Sequence, residues 1–161
     1  MIDLTTFDKG GFGKVNHSLV NNWTWDSLGE VVKQIAQQDI RRYSPLGDGG
    51  FACWGCEPWF KDVLEFLQPL KPDYQPRAAA YCSTTDTSKS FDLHRDPEQY
   101  IWVWQIIGST PWQVEDTEFV LETNELLYIS PNMLHCAKPN SPRASITFSL
   151  EKEHFYVDTS L

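Results

Sequence analysis

The chain has 161 residues, a formal net charge of -9 and an isoelectric point near 4.8; that length suits one domain with a core that needs no disulfide or structural metal, and that acidity argues against non-specific binding to nucleic acid. No apolar run approaches the roughly 18 residues that span a bilayer, and Met1–Leu4 lacks the pattern of an export signal, so a membrane role is not expected. Four scattered cysteines, Cys53, Cys56, Cys82 and Cys136, suit reduced thiols in the cytoplasm better than a disulfide scaffold.

Residues 1–75 carry the helical patterns and are expected to form an N-terminal extension. A first helix is predicted from about Trp25 to Gln38, with Ser27 and Glu30 spaced as a capping box and Leu28, Val31, Val32 and Ile35 at helical intervals. Gly47-Asp48-Gly49-Gly50 reads as a loop. A second helix is predicted to start at Pro58 and to bury Trp59, Phe60, Val63, Leu64 and Leu67 before Pro69 and Pro72 end it.

From residue 76 the texture changes. Short runs at 78–82, 91–94, 100–107, 111–115, 118–121, 126–129 and 143–150 are rich in β-branched and aromatic residues and are separated by Gly, Pro, Asn, Asp or Ser. Such a series without helices predicts a barrel or jelly roll over 76–161, with the N-terminal helices packed outside as a buttress. Alternation in 100–105 sets Trp102 and Trp104 against those helices and Gln105 inward.

Phe91-Asp92-Leu93-His94-Arg95-Asp96 is the sharpest local feature. On a strand His94 and Asp96 share a face, so imidazole and carboxylate reach one divalent ion. His135, read as lying in a turn after the strand 126–129, is the third candidate. Two His and one carboxylate form the facial triad of non-haem iron(II) sites, which leaves positions open for other ligands. His17 and His154 fall in stretches read as exposed. A lone His-x-Asp is also a common surface pair, so the spacing alone does not decide.

Residues 91–114 resemble JmjC-type oxygenases of the cupin superfamily, which show His-x-Asp, then Gln-x-x-Gly, then a tryptophan before the next strand. The matching residues are His94, Asp96, Gln105, Gly108 and Trp112. Glu125–Pro131 leading to His135, and the tail 143–149, are similar to the family's later blocks. The resemblance covers roughly residues 77–151. It implies a double-stranded β-helix, an α+β chain in all, that binds iron(II), 2-oxoglutarate and O2 and hydroxylates or demethylates a small-molecule or protein substrate. Relatives include homodimers built through extra helices, so a homodimer is compatible with it.

One departure matters. Members usually carry a Lys or Arg just after the glycine of Gln-x-x-Gly, where this chain has Ser109-Thr110-Pro111. Arg143 and Ser145, an Arg-x-Ser on one strand face, resemble the pair that grips 2-oxoglutarate in other oxygenase branches. A guanidinium holds a carboxylate bidentately, which suits the role. Tyr81 and Thr110 could add hydroxyl contacts. Cys53-Trp54-Gly55-Cys56 is a C-x-x-C without a second pair and reads as incidental. Loops near 44–56 and 83–90 are the expected substrate rim. Two alternatives stay open: a metal cupin that does not use 2-oxoglutarate, and a non-catalytic cupin-like binding module.

Overall fold

In the computed structural model, residues 1–88, 91–138 and 140–152 are described. The elements run α1 (Thr5–Lys9), β1 (Phe12–Val15), α2 (Trp25–Gln38), β2 (Tyr43–Gly47), β3 (Gly50–Trp54), α3 (Lys61–Leu67), β4 (Gln75–Ser83) and β5 (Gln99–Ile107). They continue with β6 (Thr110–Val114), β7 (Thr117–Leu121), β8 (Leu126–Ile129), β9 (His135–Ala137) and β10 (Arg143–Glu151). Seven strands form one sheet in the order β1-β8-β5-β10-β4-β3-β2, and three form a second, β7-β6-β9. Every pairing is antiparallel. The result is a cupin-like jelly roll with helices against its large sheet, the fold class the sequence predicts.

Strand alternation divides the core in two. The outer face of the large sheet offers Trp102, Trp104, Ile146, Phe148, Leu150 and Ala80 to Leu28, Val31 and Ile35 of α2 and to Leu64 and Leu67 of α3. Trp102 and Trp104 therefore pack on the helical side, as their spacing predicts. The inner face of β5 and β8 offers Ile101, Val103, Leu127 and Ile129 to Trp112, Val114, Leu121 and Ala137 of the small sheet. That apolar contact involves β5 and β8. The inner face of β10 and β4 stays polar and opens onto a cavity lined by Arg77, Tyr81, Arg143, Ser145, Thr147 and Ser149.

Several local expectations shift. α2 is capped by Thr24, which accepts from the Ser27 amide at 3.2 Å while the Ser27 hydroxyl takes the Thr24 amide at 2.9 Å. The capping box is thus Thr24/Ser27 rather than Ser27/Glu30. Pro58 lies in a 3-10 turn, Glu57–Trp59, and the second helix begins at Lys61. Strand pairing starts well before residue 76: β1 joins β8, and β2 and β3 form a hairpin beside β4. Its turn uses Asp48 and Gly49, both left-handed at φ 49° and 81°, the conformation that Asp-Gly supplies in tight hairpins.

Phe91–His94 is not a strand; His94 makes a single bridge to His135. His135 in turn opens β9 and does not sit in a turn. His17 is half-buried and hydrogen-bonded to the Asn124 carbonyl at 2.7 Å, so it is not the exposed residue expected. His154 lies outside the described residues.

Phe148 is fully buried and stands edge-on to Phe60 with ring centroids 5.3 Å apart. Phe148→Ala is expected to cost about 3–5 kcal/mol of stability. Urea denaturation would show the loss as a lower midpoint, and the folded fraction would keep its metal uptake.

Candidate metal centre

The three candidate ligands arrive from two segments. His94 and Asp96 lie on the irregular stretch before β5, and His135 starts β9. His94 and His135 exchange both backbone hydrogen bonds, at 3.1 and 2.8 Å. That bridge brings the ring centroids to 4.5 Å. Asp96 Oδ2 then lies 3.6 Å from His94 Nε2 and 3.4 Å from His135 Nε2. One ligand atom from each residue falls within 4.8 Å of the others. The convergence is as expected, although a bridge and a bend produce it, not a strand.

Both imidazoles are held in the same way. His94 Nδ1 lies 2.7 Å from the Asp92 carbonyl, and His135 Nδ1 lies 2.8 Å from the Met133 carbonyl. A carbonyl can only accept, so each Nδ1 carries hydrogen; the neutral ring then keeps its Nε2 lone pair for a metal ion, and the protonated ring donates from Nε2 to Asp96. Burial pushes the Asp96 carboxyl up, but hydrogen bonds and charge from His135 and His94 outweigh it and hold the group below the usual carboxylate range. The hydrogen bond to Asp96 raises the pKa of His94 against the opposing effect of burial. Two Nε2 atoms and a carboxylate oxygen suit a divalent first-row ion with open positions.

The backbone around this group is tied down. The Asn132 amide donates to the Asp96 carbonyl at 2.8 Å. Arg95 donates to Glu115 Oε1 at 3.0 Å and also to the Asn132 carbonyl. Glu115 Oε1 accepts from the Leu134 amide at 2.8 Å as well. That amide is the chief cause of a lowered pKa for Glu115, with burial opposing and Arg95 assisting. Arg95, between the two ligands in sequence, thus connects the His94 segment to the His135 segment through Glu115.

The other predicted residues gather at the opposite end of one cavity of about 1260 Å³, which also receives His94, Asp96 and His135. Arg143, Ser145, Tyr81 and Thr110 all line it. Ser145 is in register with Tyr81 on one side and Gln105 on the other. Arg143 is only 4% exposed, and its Nη1 has no hydrogen-bond partner among the described residues. Burial pulls its pKa below the ordinary arginine value, yet a guanidinium remains charged in proteins. Gln105 does not line the cavity. It is fully buried, donates to the Ile107 carbonyl at 2.9 Å and accepts from the Thr110 hydroxyl at 2.8 Å. Gly108 is left-handed at φ 68°, and a Cβ there would lie 2.5 Å from the Pro142 carbonyl oxygen. A larger residue would push the β5–β6 turn off the start of β10, where Arg143 is seated.

The cavity rim differs from the expected loops. Residues 44–54 are mostly β2 and β3, of which Trp54 reaches the cavity along with Gly55. Residues 83–88 do not line it, and 89–90 lie outside the described residues. Asp39, Arg41, Arg42 and Phe91 form the rim instead, a grouping of distant segments that only the topology makes. Cys53 and Cys56 are buried free thiols in mutual contact. Their contact and burial push the Cys56 thiol up, and burial pushes Cys82 up to about 12.

No family model matches the sequence. No curated protein matches it at a significant level. Solved structures do match in fold. Escherichia coli YcfD superposes with a TM-score of 0.66 at 11% identity, over 96% of this chain and 54% of that one. The E. coli ribosomal oxygenase YcfD in complex with cobalt and 2-oxoglutarate gives a TM-score of 0.59 at 14% identity, over 88% and 47%. An RmlC-like cupin from Shewanella frigidimarina gives 0.51 at 11% identity, over 71% and 87%. The fold is that of the cupins. The chain spans about half the length of the YcfD chains it matches. Among the described residues, no helix is long and apolar enough to cross a membrane.

Glu115 touches no candidate ligand side chain, yet it holds the segments of both. Glu115→Ala is expected to weaken manganese or cobalt binding by about 10–100-fold while the fold is kept. Glu115→Gln keeps an acceptor for the Leu134 amide and should lose less. Metal titration followed by calorimetry, with circular dichroism as the folding control, makes the comparison.

Proposed function

We propose that this chain is an iron(II)- and 2-oxoglutarate-dependent oxygenase that hydroxylates or demethylates its substrate. The observation that carries the reading is a buried arginine with an unpartnered Nη1 in the same cavity as a two-histidine, one-carboxylate cluster. A buried cation without a partner is costly unless an anion is meant to meet it. When bound, iron and 2-oxoglutarate supply the chemistry that activates O2 and oxidises a C–H bond.

The chain's own residues bind, orient and shield. His94 and His135 present Nε2, fixed by their Nδ1 contacts to the Asp92 and Met133 carbonyls. Asp96 supplies the anionic oxygen, kept ionised by the flanking imidazoles. At the far end Arg143 would hold the distal carboxylate of the co-substrate, to which a guanidinium can bond bidentately, with the Ser145 hydroxyl on the same face. Tyr81 and Thr110 border that end, and Gln105 orients the Thr110 hydroxyl through their 2.8 Å bond. Ile101, Val103 and Trp112 give the middle of the cavity an apolar wall, which limits water around the reacting centre. The buried thiols suit a reducing compartment, and we place the protein in the cytoplasm.

The absence of a cation in Ser109-Thr110-Pro111 favours a second reading, a metal cupin that does not use 2-oxoglutarate. Calorimetric titration of manganese-loaded protein with 2-oxoglutarate separates the two. Binding is expected, and Arg143→Met should weaken it at least about 100-fold, in line with the loss of a buried charge-assisted pair, while manganese affinity stays unchanged. No heat of binding in the unaltered protein would sink the oxygenase reading in favour of the second. His94→Ala should abolish metal binding; unchanged metal content would point to a barrel that merely binds.

A further inference from the structure

The chain has five arginines, and four of them, Arg41, Arg42, Arg77 and Arg143, line this one cavity, whereas no described lysine does. Five carboxylates, Asp39, Glu57, Asp92, Asp96 and Glu151, line the same cavity, so what matters is which guanidinium is left without one of them. Arginine is also the residue whose planar fork matches carboxylate and phosphate. The co-substrate accounts for Arg143 alone. The remaining three stand at the other end. Arg77 pairs with Ser149, whose second neighbour is Ile101 near the start of β5, while Arg143 is in register with Ser83 at the opposite end of the same ladder. Asp96 lies three residues before the start of β5 at Gln99, so Arg77 belongs to the metal end. Trp54 is in register with Ala79, two residues from Arg77.

The three cations are not equally available. Arg41 is spent on Asp39, which it grips through two bonds of 2.9 and 3.0 Å. Arg77 reaches Glu151 only at 3.5 Å, and that carboxylate already accepts from Gln99 at 2.9 Å. Glu57, the other nearby acid, accepts from the Ala78 amide at 3.3 Å. Arg42 makes no hydrogen bond or ion pair with a described residue. Its seat is nevertheless formed: Gly55 is left-handed at φ 92°, and a Cβ there would lie 2.7 Å from Arg42 Nη1 and 3.0 Å from its Cδ. Glycine lets the guanidinium stem lie against the backbone at the rim. Beside it, Trp54 is half-buried, and Phe91 is 40% exposed with its ring 5.7 Å from that of His94.

We propose, resting on the oxygenase reading above, that the substrate is a small organic acid. Its carboxylate or phosphate monoester is held by Arg42 and Arg77 at the metal end, and its apolar or aromatic body lies along Trp54 and Phe91 toward the ligands. An acidic polymer is disfavoured because the net charge of -9 repels it. A cavity of about 1260 Å³ accommodates a small molecule beside the co-substrate.

The test uses the manganese-loaded full chain saturated with 2-oxoglutarate. The probes are phenylacetate and phenyl phosphate, their neutral counterpart phenylacetamide, and the cation phenethylamine. Saturation-transfer NMR reads binding, and broadening of the probe protons by manganese reads closeness to the metal. The acids should bind and broaden, with the amide and amine at least about tenfold weaker, the discrimination expected of a charge-assisted contact. Arg42→Gln and Arg77→Gln should each weaken the acids about tenfold, with manganese and 2-oxoglutarate affinities unchanged by calorimetry. Equal binding of the amide or amine, or acids that ignore both substitutions, would overturn the proposal. So would an acetylated glutamate hexapeptide that binds more tightly than the small acids, or an Arg42→Gln effect confined to 2-oxoglutarate. If 2-oxoglutarate itself fails to bind, the oxygenase reading falls separately. The acid probes, run without it, then uphold or overturn the anion site by the same comparison.

Discussion

His94 and His135 exchange their backbone hydrogen bonds across a single antiparallel bridge, and the candidate centre depends on it. Without it, one imidazole would belong to an irregular approach to β5 and the other to the edge of the small sheet. The bridge fixes the spacing of the two rings, the Asp92 and Met133 carbonyls fix their tautomers, and Asp96 completes the set two residues along. Arg95 and Glu115 brace the same junction from behind. Two imidazoles beside one partly buried carboxylate form an arrangement in which the protein has already met the cost of desolvating the anion.

The rest of the fold follows from which face of each strand is polar. Along β10, Arg143, Ser145, Thr147, Ser149 and Glu151 point into the cavity, while Ala144, Ile146, Phe148 and Leu150 point outward. The large sheet is therefore apolar on the outside and partly polar inside, the reverse of a simple sandwich. An apolar outer face cannot be left in water, and this is the reason α2 and α3 are needed. The small sheet covers Ile101, Val103, Leu127 and Ile129, so the polar half of the inner face remains as a trough beside the metal ligands. Helical cover on one face is what permits an open, polar interior on the other.

This division explains what the sequence discloses. Strand alternation makes Trp102 and Trp104 legible as helix-facing and Arg143 and Ser145 as one pair, because period-2 patterns are local. The ligands are legible as residue types at a spacing, yet the strand invoked for His94 and Asp96 is absent. The i, i+2 relation survived because a bend with a single bridge also turns both side chains the same way. The β2–β3 hairpin escaped notice because Pro45 and the Gly-Asp-Gly-Gly run mask strand character, although Asp48-Gly49 is itself a hairpin signal. The rim could not be read at all. Arg41 and Arg42, Arg77 and Arg143 come from three separate segments, and only the strand order β10-β4-β3 places them around one space.

The two ends of that space are set by different devices joined by one rigid element. The His94–His135 bridge sets the metal end. The β5–β6 turn sets the far end, where Gly108 lies against Pro142 and Arg143, and Thr110 donates to Gln105. Between them run β5 and β10, paired from Gln99–Glu151 to Ile107–Ala144 with a register shift at Ala144/Ser145. A ladder of this kind neither stretches nor hinges, so the separation between the ligands and Arg143 is a property of the sheet and not of side-chain choice. On the oxygenase reading, selection of a co-substrate by length would then be built into the backbone. On the same reading, selection of the second molecule would be left to side chains at the rim, which can change without disturbing the ladder.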